Sequence, residues 1–328
     1  MTNSVAAFGA VLSAIAIAIA ITAAPALAQE GYPTKPIRMI VPYPPGGVGD
    51  TTARVLVPKW IELIGQQILV DNRPGAGANI GTEMVAKSAP DGYTIGFFDS
   101  AFVVNPSLYA KLAFDPLRDF MPIMLVARGP LLLVVHPAVA ANNAIELVAL
   151  AKAKPGAMSY ASAGSGTAIH LGAEMLKNAA GLQIVHVPYK GAGPAVLGVV
   201  AGDVPMMFAL PGTVRGHTST GRLRPIAITG ARRFSGLPDV PTFAEAGVPG
   251  VDATIILQFM APAKTPRPII NALFVSLQKV VNAPEMRERL AEFALDVVGA
   301  DPDRTATLLR EEMELWAKVV KSSGAKAE

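Results

Sequence analysis

Short apolar runs alternate along the chain with stretches in which apolar residues recur at helical spacing, and that alternation predicts successive strand and helix units. Ile37 to Val41 reads as a buried strand. Ala53 to Ile64 reads as the helix after it, with Pro58 inside and Gly65 placed to end it. Gln67 to Val70 predicts a second strand, and a helix then runs to about Lys87. Turn residues Ala89-Pro90-Asp91-Gly92-Tyr93 precede a third strand, Thr94 to Phe98. Strand, helix, strand, helix, strand at this spacing implies a right-handed parallel sheet. Met121 to Val126 and Leu131 to Val135 are further β-rich runs, and Arg128-Gly129-Pro130 between them reads as the break at which the chain crosses into a second lobe.

The second lobe repeats the alternation. Helices are predicted over Ala144 to Ala153, Ile169 to Asn178 and Ala192 to Ala201, with strands over Met158 to Ala161, Gln183 to Val187, Val204 to Ala209 and Leu223 to Thr229. A short helix is expected over Phe243 to Ala246. Ala253 to Ala261 then reads as a second crossing strand that returns the chain to the first lobe, and the remainder reads as helical. Pro268 opens one helix, while Asp301-Pro302 offers an N-cap and first-turn pair for the last, whose Leu309, Met313, Trp316 and Val320 share one face that should pack on the first lobe. The expected organisation is a signal peptide over 1–28, a discontinuous lobe 1 over 29–125 plus 252–328, and lobe 2 over 126–251.

Length supports that division, since 328 residues exceed what one compact core usually holds. With 51% hydrophobic and 16% charged residues, a globular α/β protein is expected and general disorder is excluded. The net charge of +3 is small and the basic residues are not interleaved with aromatics, so nucleic-acid binding has no support. Residues 1 to 28 carry no charged side chain, and Val11 to Ile21 is followed by Ala26-Leu27-Ala28, a small-x-small cleavage pattern that would leave Gln29 as the mature start. The n-region lacks Lys and Arg, which departs from the usual signal peptide; an uncleaved membrane anchor is the alternative, but the apolar run is short for a span and Pro25 precedes the cleavage site. Cysteine is absent, so neither a lipoprotein anchor nor disulfides nor thiolate metal ligands are available, and the mature protein is expected free in the periplasm.

Two junctions could carry chemistry. In Val41-Pro42-Tyr43-Pro44-Pro45-Gly46-Gly47-Val48-Gly49-Asp50, a strand gives way to a helix, two glycines admit close backbone approach, and Asp50 stands where an N-cap belongs. Ser162-Ala163-Gly164-Ser165-Gly166-Thr167 repeats the arrangement ahead of His170. Helix N-termini offer unpaired N–H groups and partial positive charge, so two such loops facing each other would clamp an anion, with Ser162, Ser165 and Thr167 adding hydroxyls. Both are also compatible with ordinary, well-capped βα loops. Asn72-Arg73-Pro74-Gly75-Ala76-Gly77-Ala78-Asn79-Ile80-Gly81 matches neither a Walker loop nor the dinucleotide pattern and reads as a structural turn. A secreted serine hydrolase is the competing class, but Ser165 lacks the Gly-x-Ser-x-Gly elbow spacing and His170 has no evident third partner. His136, His170, His186 and His217 do not fall at metal-ligand spacing, and no cofactor motif is present.

Together these motifs resemble the extracytoplasmic solute receptors of tripartite tricarboxylate transporters, the TctC or Bug family, over about Tyr32 to Lys321. The carriers are Ile40 to Gly47 with Asp50, Asn72 to Gly77 with Asn79-Ile80-Gly81, and Pro90-Asp91-Gly92-Tyr93-Thr94. Ser162 to Gly166 with His170-Leu171, Val187-Pro188-Tyr189-Lys190-Gly191, Leu237 to Thr242, and Ala261-Pro262-Ala263 with Thr265-Pro266 complete them. The resemblance implies a periplasmic-binding-protein fold: two α/β lobes joined by two crossing segments, with the ligand cleft between them. It also implies a non-enzymatic, monomeric receptor that delivers a small carboxylate to membrane transporter subunits; delivery to a membrane sensor is the alternative. Carried over residue by residue, it nominates Tyr43, Gly46, Gly47 and Asp50 on one side and Ser162, Gly164, Ser165, Gly166, Thr167 and His170 on the other. Relatives often have Trp and Gly where this chain has Ile256 and Gln258, and Gly-Gln-Val-Asp where it has Gly202-Asp203-Val204-Pro205. Asp203 and Gln258 therefore join the ligand-binding candidates as the part that reads the rest of the ligand.

Overall fold

A computed structural model describes residues 31–327, so the expected signal peptide and its cleavage site lie outside the described residues. From Lys35 onward the described residues form one compact unit. The compact unit opens with β1 (Ile37–Val41), α1 (Val48–Ile64), β2 (Ile68–Asn72), α2 (Asn79–Ala86), β3 (Thr94–Phe98) and α3 (Ala101–Leu108). β4 (Phe120–Pro130) runs on through one residue into β5 (Leu132–Val135). There follow α4 (Ala144–Ala153), β6 (Ser159–Ser162), α5 (Ala168–Ala180), β7 (Val185–Pro188), α6 (Ala192–Ala201), β8 (Met206–Ala209), α7 (Pro211–Thr218) and β9 (Arg224–Ile228). β10 (Thr254–Pro262), α8 (Arg267–Asn282), α9 (Pro284–Glu292), β11 (Asp296–Ala300) and α10 (Pro302–Ser323) complete the chain.

Two sheets result, in the orders β11-β4-β10-β3-β1-β2 and β7-β6-β8-β5-β9. β1 pairs in parallel with β2 and β3, and β6 pairs in parallel with β7 and β8. β10 lies antiparallel between β3 and β4. This is the arrangement of two α/β lobes joined by two crossings. Each lobe turns the carboxyl ends of parallel strands toward the cleft, the place where open α/β sheets bind ligands. The first lobe is held by Trp60, Phe97 and Phe259, with ring centroids 5.3 Å apart for Trp60–Phe259 and 4.4 Å for Phe97–Phe259. Trp60 is fully buried, and its indole N–H donates to Ser276 Oγ at 2.8 Å, so a large apolar group enters the core without an orphaned donor.

The crossings are tied by one side chain. Thr229 Oγ1 accepts from Leu131 N–H at 2.8 Å and donates to the Ala253 carbonyl at 2.5 Å, while Thr229 N–H donates to the Leu131 carbonyl at 2.8 Å. The chain leaving the first sheet and the chain re-entering it are thus clasped at one buried threonine.

Several expected boundaries move for physical reasons. β4 continues through Arg128-Gly129-Pro130 because β10 pairs with it residue by residue there, Thr254 opposite Pro130 and Ile255 opposite Gly129, so the break falls at Leu131. Phe243 to Ala246 forms only turns: Thr242 and Glu245 cap each other reciprocally, at 2.8 and 3.2 Å, and no helix is propagated. The C-terminal region is not all helical, since β-branched Val297-Val298 supports β11 on the β4 edge. Asp301 caps α10 by accepting from Arg304 N–H at 2.8 Å, and Leu309, Trp316 and Val320 are buried on its inner face. That helix packs on α3 and β4 of the first lobe and also reaches α5 of the second.

Candidate ligand-binding site

The loop after β1 is built around Asp50. The helix begins earlier than its apolar spacing suggests, with Gly47 rather than Asp50 as the N-cap, and Asp50 lies in the first turn. From there its carboxylate reaches back to accept the Gly46 N–H at 2.9 Å, and it also accepts from Arg54 Nε at 3.0 Å and Asn72 Nδ2 at 3.0 Å. Asn72 also donates to the Tyr43 carbonyl at 2.9 Å, which binds the end of β2 to the loop. Burial alone would raise the Asp50 carboxyl, but the bonds from Arg54, Gly46 and Asn72 outweigh it and hold it below the usual carboxylate range. Asp50 is therefore a fastener of the loop.

The second loop is fastened from beneath by two histidines. Ser162 Oγ lies 2.6 Å from His186 Nε2 and accepts the Gly164 N–H at 3.1 Å. His170 Nδ1 accepts the Gly166 N–H at 3.2 Å, and the two imidazoles stack with centroids 4.2 Å apart. Burial, then the charges of His186 and Lys177, push His170 down to about 3, so it stays neutral and keeps its acceptor lone pair. Thr167 caps α5, accepting the His170 N–H at 3.3 Å and donating to the Gly164 carbonyl at 2.8 Å.

Between the loops lies a small cavity lined by Tyr43, Gly47, Val48 and Asp99 from the first lobe, by Ala163, Thr167, Ala168, Ile169 and Ala192 from the second, and by Ile255 of the returning strand. About 10 Å³ is left there for the centre of a water-sized sphere, room for roughly one water. The lining includes first-turn residues of α1, α5 and α6: Val48, Ala168 with Ile169, and Ala192. First-turn N–H groups have no acceptor within their own helix, so the cavity is bordered by three helix N-termini, each a source of free donors and partial positive charge.

Of the residues expected at the site, Tyr43, Gly47 and Thr167 line this cavity. Gly46, Asp50, Ser162, Gly164, Gly166 and His170 brace the two loops by the bonds above, and Ser165, only 7% exposed, lies in the second loop with its carbonyl against Gly77. The N–H groups of Gly46, Gly164 and Gly166, expected as ligand donors, are spent on Asp50, Ser162 and His170. Gln258 is fully buried and does not line the cavity; its Nε2 donates to the Asp99 carbonyl at 3.0 Å. Asp203 is not brought to the cleft: it is exposed and precedes β8, at the opposite end of that strand from the β6 carboxyl end. Ser165 and His170 form no nucleophile and base pair, since the histidine that meets a serine is His186, and the serine is Ser162.

Sequence reasoning missed Asp99, His186, the Ala192 helix terminus and the glycine-rich loop. Asp99-Ser100 ahead of an apolar run was the available signal for α3 and its capping region. The glycine-rich loop is more than a turn: a Cβ on Gly77 would stand 2.5 Å from the Ser165 carbonyl oxygen, so the two lobes touch backbone to backbone. Asn105 holds that loop by donating to the Gly77 carbonyl at 2.8 Å. It also blocks any side chain at Gly166, whose Cβ would run into Asn105 Oδ1.

Comparison with known proteins identifies the family and the fold. The model of the family described as "Tripartite tricarboxylate transporter family receptor" matches residues 52–325. Among curated proteins, the chain is 39% identical over 318 residues to "Protein BugT" of Bordetella pertussis, covering 95% of this chain and 96% of that one. It is 38% identical over 311 residues to the "UPF0065 protein in tcbD-tcbE intergenic region" of Pseudomonas sp. strain P51, covering 94% and 93%. Among solved structures, "periplasmic binding protein BugD" superposes with a TM-score of 0.86 at 33% identity, and "R. palustris Rpa4515 with adipate" with 0.88 at 30%, each covering 90% of this chain and 100% of that one. MatC of Rhodopseudomonas palustris, solved "with bound malate", gives 0.83 at 29%, covering 88% of this chain and 100% of that one.

Proposed function

The chain belongs to the tripartite tricarboxylate transporter receptor family, whose members are periplasmic solute-binding receptors and not enzymes, and on that premise we propose that it captures a small carboxylate between its lobes and hands it to the membrane subunits of such a transporter. The observation that carries the ligand class is the convergence of the α1, α5 and α6 N-termini on one cavity whose lining contains neither Lys nor Arg. An anion held there is held by main-chain N–H groups. Each terminus contributes about 0.3–1 kcal/mol, rising to about 2 kcal/mol where the geometry is partly buried. Malate and adipate in two structural relatives support the same class.

In this reading the two lobes are the moving bodies, with the boundary expected at 125/126 shifted to Leu131 by the continuation of β4, and the pivot is the Thr229 clasp at Leu131 and Ala253. A cavity of one-water size must widen to admit a dicarboxylate, so capture proceeds by opening and reclosing about that pivot. Export with cleavage after Ala28 and release into the periplasm completes the proposal. The test is a thermal-shift screen of the mature protein against dicarboxylates, tricarboxylates, amino acids and aromatic acids. A bound carboxylate at one hundred times its Kd is expected to add about 2.7 kcal/mol without being consumed. Stabilisation by uncharged compounds alone would refute the anion assignment.

A further inference from the structure

One wall of the cleft has the opposite chemistry from the helix termini. Asp99 follows β3, is 7% exposed, and lines the cavity beside Tyr43. The Tyr43 hydroxyl donates to Asp99 Oδ1 at 2.6 Å and the Ala101 N–H donates to the same oxygen at 2.9 Å. Oδ2 is left without a donor from another residue, and no Lys, Arg or His forms an ion pair with Asp99 among the described residues. The Tyr43 hydrogen is committed to the carboxylate, and burial together with the Asp99 charge raises the phenol well above its ordinary value, so its oxygen can offer only a lone pair. Behind them Gln258 Oε1 is a buried acceptor with no partner. This wall is therefore made of acceptors and carries a negative charge, while the helix N-termini present donors.

Burial raises the Asp99 carboxyl to about 6, against the bonds from Tyr43 and Ala101, so the group is still mostly ionised at neutral pH and does not settle as a neutral acid. An ionised carboxylate that faces a ligand space without a cation is costly unless the ligand brings the compensating charge. Bare polycarboxylates would instead meet it with repulsion.

Resting on the carboxylate reading above, we propose that Asp99 is a specificity-determining residue that receives an ammonium or other cationic N–H group, so that the ligand is a zwitterion: a small acid bearing an amino group, its carboxylate at the helix termini and its nitrogen at the Tyr43–Asp99 wall. Tyr43 fixes the carboxylate, and Gln258 fixes the Asp99 backbone behind it. Asp99 lies within the cleft lining, so its effect is on which acids are accepted.

The experiment is calorimetric titration with matched pairs that differ only by the amino group: succinate and aspartate, glutarate and glutamate, adipate and 2-aminoadipate, with both enantiomers of each amino acid. For the native protein, the amino member of at least one pair is expected to bind at least tenfold more tightly than its parent acid. Asp99→Asn, which keeps an acceptor for Tyr43 and Ala101 but removes the charge, is expected to cost that amino acid at least tenfold more than it costs the parent. The native protein's ranking tests the idea even if the variant folds poorly. Parent acids that equal or outbind every amino counterpart overturn the proposal, as does a gap that survives in Asp99→Asn. Failure of the native protein to bind any member of the panel overturns the carboxylate reading and this inference together, whereas binding without amino preference overturns this inference alone.

Discussion

Acidification from pH 7 to pH 3 is expected to remove up to about 5 kcal/mol of stability through His170 alone, a figure that follows from its fall from 6.5 to about 3 on folding at about 1.36 kcal/mol per unit. A group depressed in the folded state contributes stability that is fully present above its unfolded value and disappears as the pH falls toward the folded one. The window is therefore pH 6.5 to 3. Protonation there also removes the lone pair that accepts the Gly166 N–H, so the second loop loses its brace as the charge enters the protein. Asp99 acts in the opposite sense. Its carboxyl is raised from 3.8 to about 6, so its penalty is relieved as the pH drops between those values, by up to about 3 kcal/mol. Urea unfolding of the native protein and His170→Gln across this range separates the two, because glutamine can accept the same N–H without titrating and Asp99 is common to both. The stability difference, native minus variant, should fall by about 3–5 kcal/mol between pH 7 and pH 3. A difference that stays flat would show that His170 is not the acid-sensitive group.

Gly77→Ala is expected to weaken binding of any stabilising carboxylate at least a hundredfold, about 2.7 kcal/mol, while leaving the protein folded. The methyl group would stand 2.5 Å from the Ser165 carbonyl oxygen and 2.6 Å from the Tyr109 hydroxyl, and the first of these belongs to backbone of the opposite lobe. Parting the lobes relieves that clash, so the cost falls on closure. Gly77 also has a φ of +59°, where any other residue costs about 1–2 kcal/mol, and this strain has to be subtracted. Gly156→Ala provides the control, since Gly156 has a φ of +76° and its added methyl would meet nothing within 4 Å. Both variants should lose similar stability in denaturant, and only Gly77→Ala should lose affinity in calorimetry. Equal affinities for the two would remove the backbone contact between lobes from the mechanism.

The parts of this architecture that were legible in the sequence are those written locally. Asp301-Pro302 announces α10, Gly65 ends α1 in a left-handed cap, and the run Thr94 to Phe98 coincides with β3. The solute-receptor fold was also legible, through motifs that recur in order. What escaped was the identity of the donors. Glycines before a helix suggested that their own N–H groups would meet the ligand, yet three of these are taken by Asp50, Ser162 and His170, and the cavity is lined by the helix turns just after them. That accounting depends on partners brought together by folding. Ser162 meets His186 because β6 and β7 pair in parallel, with Tyr160 opposite His186 and Ser162 opposite Pro188. Asp99 is hard to read for another reason: α3 is apolar on most of its faces and contains Pro106, so periodicity leaves the element unmarked and only the Asp99-Ser100 pair before it signals its start.

The cleft lining holds Tyr43 and Asp99 as its titratable side chains, with no lysine or arginine beside them. Mobile ions screen exposed charges over about 8 Å at physiological ionic strength, but they act little on groups buried from solvent. Main-chain dipoles and one enclosed carboxylate leave almost no long-range field to be screened. Ligand affinity should then vary little with salt, and association should proceed without electrostatic steering, at a rate that salt leaves nearly unchanged. A receptor so built trades speed of encounter for constancy: its occupancy follows the concentration of its ligand and not the ionic strength of the medium around the cell.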